Sequence, residues 1–551
     1  MSTIKNHARQ TIKKSNPLFS SFKSLIETAF YGNQVTPVDT LTQAYTLAAK
    51  CPKTIVTDLP VYQAEMLGLP KEAKVLVSND GEIVGRTSAA RRIIGEPGID
   101  EKYYEDLLRE ALYHSSTRDF YRGDAIVGLS EDFMVEAHLL LPAGFEANFY
   151  SYFLNFQIMN DHFRKRYQDS DTYHENDIYL YADPYWQHPD FPNGLAIFDP
   201  RQNVGAILGL RYLGELKKGT LTLAWATAHR NGYIACHGGL KQYQLPDKKY
   251  TMAAFGLSGS GKSTITLAEH GHSSKVTVLH DDAFIIHDET GATTALEPAY
   301  FDKTQDYPMD SQNIQYIVTC QNVGVTLDEN NLRVLVTEDI RNNNGRAVKS
   351  QFATPNRVNH IEERLDGVYW IMKDSSLPPI IRVDDPILAA VFGVTLATKR
   401  STAENVPGGV DLTSLVIEPF ANPFRCYPLI EDYQKFRNLF SQGKTACYIL
   451  NTGYFNGKKV RPADTLGVIE QVVDESANFV SFGPLTGLSY LPIEAFTPRF
   501  NDENYLNQIR HSLQNRLNFI RTTNEKNDGY NALPDETITH LEQLIQCLPD
   551  E

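Results

Sequence analysis

The sequence predicts a mixed α/β fold of two large domains, the second built around a P-loop, a glycine-rich loop that binds nucleotide phosphates. Three observations lead there. Helical and strand patterns alternate in the first part of the chain, short strands divided by turn signals follow Tyr250, and a glycine-rich stretch leaves one of those strands. With 551 residues, 42% of them hydrophobic, the chain has ample apolar material for large cores, which excludes a disulfide scaffold, a collagen-like fibre or a disordered tail.

Residues Lys102 to Tyr113 carry Tyr104, Leu107, Leu108 and Leu112 on one side, a helical pattern, and Ala137 to Leu141 reads as a buried strand. The stretch 167–193 is rich in Asp, Tyr, His and Pro, which suits an irregular surface segment or short hairpins. Strands are then predicted at Tyr250 to Phe255, Lys275 to His280, Ala283 to His287, Leu332 to Thr337, Gly367 to Lys373 and Ala446 to Leu450. Turns fall at 288–291 (Asp-Glu-Thr-Gly) and 342–345 (Asn-Asn-Asn-Gly). Few helices are expected inside this sheet-rich part, and two close the chain, near Asn504 to Ile520 and from Thr537 to Cys547. The boundary is expected near Asn231, giving domains 1–231 and 232–551.

The 52 basic and 67 acidic residues leave a formal charge of −15, which argues against nucleic acid as a partner, since such binding needs clustered cations. An anionic ligand must therefore meet a local basic pocket. Six scattered cysteines (51, 236, 320, 426, 447 and 547) form no CxxC pair, so a reducing compartment is expected. No run approaches the ~20 apolar residues that span a bilayer, and Met1 to Lys14 leads into no signal-peptide core. The expectation is a cytoplasmic protein without a membrane partner; nothing in the pattern assigns an oligomeric state.

Gly256-Leu257-Ser258-Gly259-Ser260-Gly261-Lys262-Ser263 satisfies GxxxxGK[ST], and Thr264 continues it. An apolar strand enters the loop, and a helix-compatible stretch, Ser263 to His270, leaves it. Glycines let backbone N–H groups turn inward around phosphate oxygens, a conformation that side chains would obstruct. Lys262 would neutralise the β- and γ-phosphates, and the Ser263 hydroxyl could ligate magnesium. Asp281 and Asp282, delivered together at the end of the next strand, suit a metal-binding carboxylate. Hydrolases, kinases and motors all use such a loop.

Upstream lies Tyr212-Leu213-Gly214-Glu215-Leu216-Lys217-Lys218-Gly219, with His237 nineteen residues after Lys218. This order, followed by the glycine loop and Asp281-Asp282, resembles the ATP-dependent phosphoenolpyruvate carboxykinase family. Gly85-Arg86-Thr87-Ser88 is similar to its Gly-Arg-Ser-Pro, and Glu297-Pro298-Ala299-Tyr300-Phe301-Asp302-Lys303-Thr304 to its Glu-Gly-Gly-x-Tyr-Ala-Lys-Thr. Leu377-Pro378-Pro379-Ile380-Ile381-Arg382 is similar to Leu-Pro-Pro-Val-Ser-Arg, and Leu450-Asn451-Thr452-Gly453 to Val-Asn-Thr-Gly. The family's GTP-dependent relatives carry Cys inside the loop; Ser260 here favours ATP.

The resemblance implies a two-domain carboxykinase-like fold and a reaction in which oxaloacetate loses carbon dioxide and the enolate takes the γ-phosphoryl of ATP, giving phosphoenolpyruvate and ADP. It implies manganese held by Lys218, His237 and Asp282, with Asp281 orienting water, and magnesium on Ser263. Arg86 would clamp oxaloacetate, Tyr212 would orient the three-carbon acid, and Arg382 would bridge the phosphoryl group and the enolate. Nucleotide contacts would come from 256–264, Glu297, Arg382, Lys459 and Thr465. The site would sit between domains under a lid near 395–410. Departures include Ala283 where the family has Glu, Pro298-Ala299 for Gly-Gly, Gly238-Gly239-Leu240 for Ser-Ala-Asn, and Lys459 for Arg, with Arg461 close by. Two alternatives remain open: a phosphotransferase acting on another small acid or a protein serine without decarboxylation, and a nucleotide-binding sensor.

Overall fold

Two long apolar runs, Phe120–Ser130 and Phe133–Pro142, pair as an antiparallel hairpin inside an eight-stranded sheet. The computed structural model describes residues 20–79, 90–257, 259–268, 275–308, 311–338, 345–399 and 415–549. The sheet order is Val35–Pro37, Phe120–Ser130, Phe133–Pro142, Ile178–Asp183, Val204–Leu208, Leu195–Asp199 and Arg91–Ile93, with Gln157–Ile158 added beside Phe120–Ser130. The expected helix is Glu101–Ser115, capped by Asp100, whose side chain accepts from the amides of Lys102 and Tyr103. Its Tyr104, Leu107 and Leu108 pack with Phe22 and Ile26 of helix Ser21–Ala29 over Ile197, Val204 and Ala206. Side chains alternate along a strand, so Phe198 and Ile207 face the opposite way, and there Gly219 of helix Leu213–Arg230 lies against them. The stretch 167–193 departs from expectation. It supplies Ile178–Asp183, a strand inside the sheet that is parallel to both neighbours.

The contacts divide the chain into two units. The first holds the described residues up to Asn231 together with Leu296–Pro355. That later segment belongs there because Ile317–Gln321 pairs in parallel with Lys74–Ser78, within a five-stranded sheet that also holds Thr54–Pro60, Tyr300–Lys303 and Arg346–Lys349. An unbroken second domain over 232–551 is therefore not what the contacts give.

The second unit holds Gly232–Ala295 and the described residues from Asn356 onward. Its main sheet has three adjacent parallel strands, Lys249–Phe255, Gly367–Met372 and Ala446–Asn451, each largely buried, as strands covered on both faces are. Val468, Ile469 and Val472 of helix Pro462–Val473 cover Met252, Tyr369 and Tyr448. Phe436 of helix Leu429–Ser441 packs on Phe255 and Trp370. These two helices and Pro386–Val394 are more than the few expected; the last is apolar all round and carries no helical stripe in its sequence. The closing helices are Glu503–Glu525 and Asp535–Gln546. Among the described residues, no helix is long and apolar enough to cross a membrane.

Candidate functional site

In the three parallel strands of the second unit, Phe255, Trp370 and Ile449 stand side by side; the first strand ends there and the other two run on to Met372 and Asn451. Ligands of open α/β sheets bind beyond such carboxyl ends. The glycine loop leaves the first strand there, and segments following the other two brace it. Lys373 Nζ donates to the Gly259 carbonyl at 2.9 Å, and Thr452 Oγ1 to the Ser260 carbonyl at 2.8 Å. Gly261 has φ 97°, in the left-handed region, and caps the helix Lys262–Leu267. A Cβ on Gly256 would stand 2.3 Å from Ser260 Oγ and 3.0 Å from Ile371 Cβ, so that position admits no side chain. Gly256, Leu257, Gly259 and Ser260 thus have described positions, Ser263 and Thr264 are exposed in the first helical turn, and Ser258 lies outside the described residues. Beneath the helix, buried Lys241 donates through Nζ to the Ile265 carbonyl at 2.6 Å, and burial pushes its amine down to about 7.

Asp281 and Asp282 follow the strand Lys275–His280. His280 shapes their turn: its Nδ1 accepts from the amides of Asp282 and Ala283 at 3.1 and 3.2 Å. Asp282 Oδ1 lies 3.6 Å from Lys262 Nζ and 3.0 Å from His237 Nε2. His237 ends the strand Tyr233–His237, and its Nδ1 is 2.6 Å from the Ala421 carbonyl oxygen. A carbonyl only accepts, so Nδ1 carries the hydrogen. In the neutral tautomer Nε2 then turns its lone pair toward the Asp282 carboxylate. Two electron-pair donors facing each other at that distance need either an imidazolium or a shared cation, and an imidazole with a carboxylate is a donor set that divalent transition metals accept. The carbonyl belongs to a strained segment: Phe420 and Ala421 both have φ 53°, a conformation costly for non-glycine residues. Phe420 is held there by stacking on Phe436, with centroids 4.6 Å apart.

In the first unit, the adjacent lysines part company. Lys217 is buried, with Nζ 2.8 Å from Glu297 Oε1, while the other Glu297 oxygen accepts from Asn155 at 2.5 Å. Half-buried Lys218 has its ammonium 5.6 Å from the Trp225 ring centroid. Tyr212, at the N-cap of the same helix, accepts through its hydroxyl from Arg346 Nε at 3.1 Å. Arg346 is buried and escaped the sequence reading, because one arginine opening a short strand carries no periodic signal.

Glu297 is fully buried in its ion pair with Lys217. Arg382 lies opposite Tyr448 in the sheet, with Nε 2.8 Å from Asp384 Oδ1 and its guanidinium over the Phe479 ring. Its side chain is 40% exposed. Lys459 is exposed on the hairpin of Tyr454–Phe455 and Lys458–Lys459, and Arg461 pairs with Asp464. Thr465 is buried, its Oγ1 3.5 Å from the Arg461 carbonyl. Arg86 lies outside the described residues. So does the expected lid beyond Lys399, whose described part is the strand Ala397–Lys399, paired with Leu415–Ile417.

A sequence model of the family described as phosphoenolpyruvate carboxykinase matches residues 75–488. The chain is 23% identical over 356 residues to the phosphoenolpyruvate carboxykinase (ATP) of Aeropyrum pernix, covering 61% of this chain and 70% of that one. It is 24% identical over 205 residues to the phosphoenolpyruvate carboxykinase (ATP) of Dictyostelium discoideum, covering 35% of this chain and 36% of that one.

Proposed function

The chain belongs to the phosphoenolpyruvate carboxykinase family, and from that membership we propose that it decarboxylates oxaloacetate and phosphorylates the resulting enolate with ATP. The observation that carries this reading is Asp282 Oδ1 within 3.6 Å of Lys262 and 3.0 Å of His237, beside the glycine loop. The loop amides bind the β- and γ-phosphates, Lys262 offsets their charge, and the Ser263 hydroxyl takes the magnesium that accompanies the nucleotide. His237, Asp282 and Lys218 would hold manganese, the lysine as free amine, with Asp281 orienting water. When bound, that cation supplies Lewis-acid stabilisation of the enolate oxygen. Tyr212, braced by Arg346, orients the three-carbon acid, and Arg86 clamps its carboxylate. Arg382, 40% exposed beside Asp384, would bridge the transferring phosphoryl group and the enolate oxygen.

The test is phosphoenolpyruvate formation from oxaloacetate and ATP with manganese present. The wild type turns over, and Lys218→Ala and Lys262→Ala lose the product. Arg86→Ala separates this reading from phosphoryl transfer without decarboxylation: it abolishes oxaloacetate turnover while ATP binding persists. No product at millimolar substrate, or full activity in Lys218→Ala, overturns the proposal.

A further inference from the structure

Asp124 and His138 stand directly opposite each other in the antiparallel pair Phe120–Ser130 and Phe133–Pro142, and Glu136 lies two residues before His138 on the same face. One ligand atom from each of the three lies within 4.8 Å of the others. We propose that Asp124, Glu136 and His138 bind a divalent transition-metal cation in the sheet of the first unit, a site independent of the residues assigned to catalysis.

His138 Nδ1 is 2.6 Å from Asp124 Oδ1, and its Nε2 is 3.6 Å from Asp177 Oδ2. Glu136 is 9% exposed, and its carboxylate makes no hydrogen bond or ion pair among the described residues. A carboxylate so buried and unpartnered is costly unless it meets a charge. The donor set, one imidazole and two carboxylates, suits zinc or manganese. Asp124, 34% exposed, opens the cluster to an entering ion.

Burial drives the Glu136 carboxyl up to about 7; burial opposes charge on His138, but Asp124 and Asp177 outweigh it and hold the imidazole above its ordinary value. The other groups facing the cluster are Asp177, Arg122, Arg164, Tyr152, Tyr167 and the Tyr179 ring, tilted against His138 with centroids 4.4 Å apart.

Equilibrium dialysis with zinc alone tests this, using the full chain carrying His237→Ala and Asp282→Asn so that the second-unit donors are absent. That parent retains one equivalent of zinc and gains thermal stability on adding it. Glu136→Gln and Asp124→Asn in the same background weaken zinc binding at least tenfold and lose the thermal shift. Asp124→Asn alters only the half-open rim, so loss of zinc there with unchanged circular dichroism separates loss of the site from loss of the fold. Failure of the parent to retain zinc, or equal retention in both variants, overturns the proposal. Either result leaves the carboxykinase reading untouched, because its own assay reads product.

Discussion

Lys217 and Lys262 each face a carboxylate, and the surroundings of the two pairs differ. Lys217 and Glu297 are 1% and 0% exposed and 2.8 Å apart, with Asn155 on the second carboxylate oxygen. Lys262 and Asp282 are 10% and 20% exposed and 3.6 Å apart, with the His237 ring 3.0 Å from the same oxygen. A close, water-free pair with its oxygens engaged is held by the cost of leaving either charge alone in a low dielectric. It ties helix Leu213–Arg230 to the segment that begins at Leu296. The looser pair retains reach to solvent and lone pairs that can turn to a ligand. Burial and partner saturation, rather than residue type, separate the structural lysine from the proposed catalytic one.

The largest way to break this comparison is Lys217→Met, which strands Glu297; about 3–5 kcal/mol of stability should be lost in chemical denaturation, and adding Glu297→Leu should recover most of it. Equal stability of the single variant and wild type would show the pair to be idle. Lys262→Ala should lower phosphoenolpyruvate formation about a hundred- to a thousandfold while the denaturation midpoint stays close to wild type. Gly261→Ala sharpens the geometry around the second pair. With only Thr452 Cγ2 near the new methyl group, at 3.9 Å, the cost should be the left-handed backbone alone, about 1–2 kcal/mol.

The smallest effect concerns Lys241, a buried lysine that donates to the Ile265 and Ala268 carbonyls. Burial lowers its folded value from 10.5 to about 7, so between those values the unfolded chain binds the extra proton and stability rises with pH. In the first pH unit above neutrality this is at most about 1.4 kcal/mol. The wild-type curve should climb there relative to Lys241→Met, and parallel curves would refute the assignment.

Much of the second unit was legible because its signals are local. The strands at 275–280 and 283–287 appear at the expected residues, and the glycine loop follows its strand into a helix. Ile178–Asp183 was hidden by the Asp, Pro and His around it, since a strand's place between two parallel neighbours is set by residues far along the chain. Helix Pro386–Val394 was missed because a segment buried on all sides has no polar face to mark its period. Within the site, Lys262, His237 and Asp282 do meet. Arg382 and Glu297 were assigned from motif position, which does not reveal their ion-pair neighbours, Asp384 and Lys217.

Short-range pattern therefore marks the glycine loop and the strands at 275–280 and 283–287, because backbone conformation there depends on a few adjacent side chains. Which of two consecutive lysines is buried, which carbonyl sets the tautomer of His237, and where 296–355 pairs depend on residues tens to hundreds of positions apart. A charge takes its role from the partners and the dielectric around it, and only the folded chain brings those together.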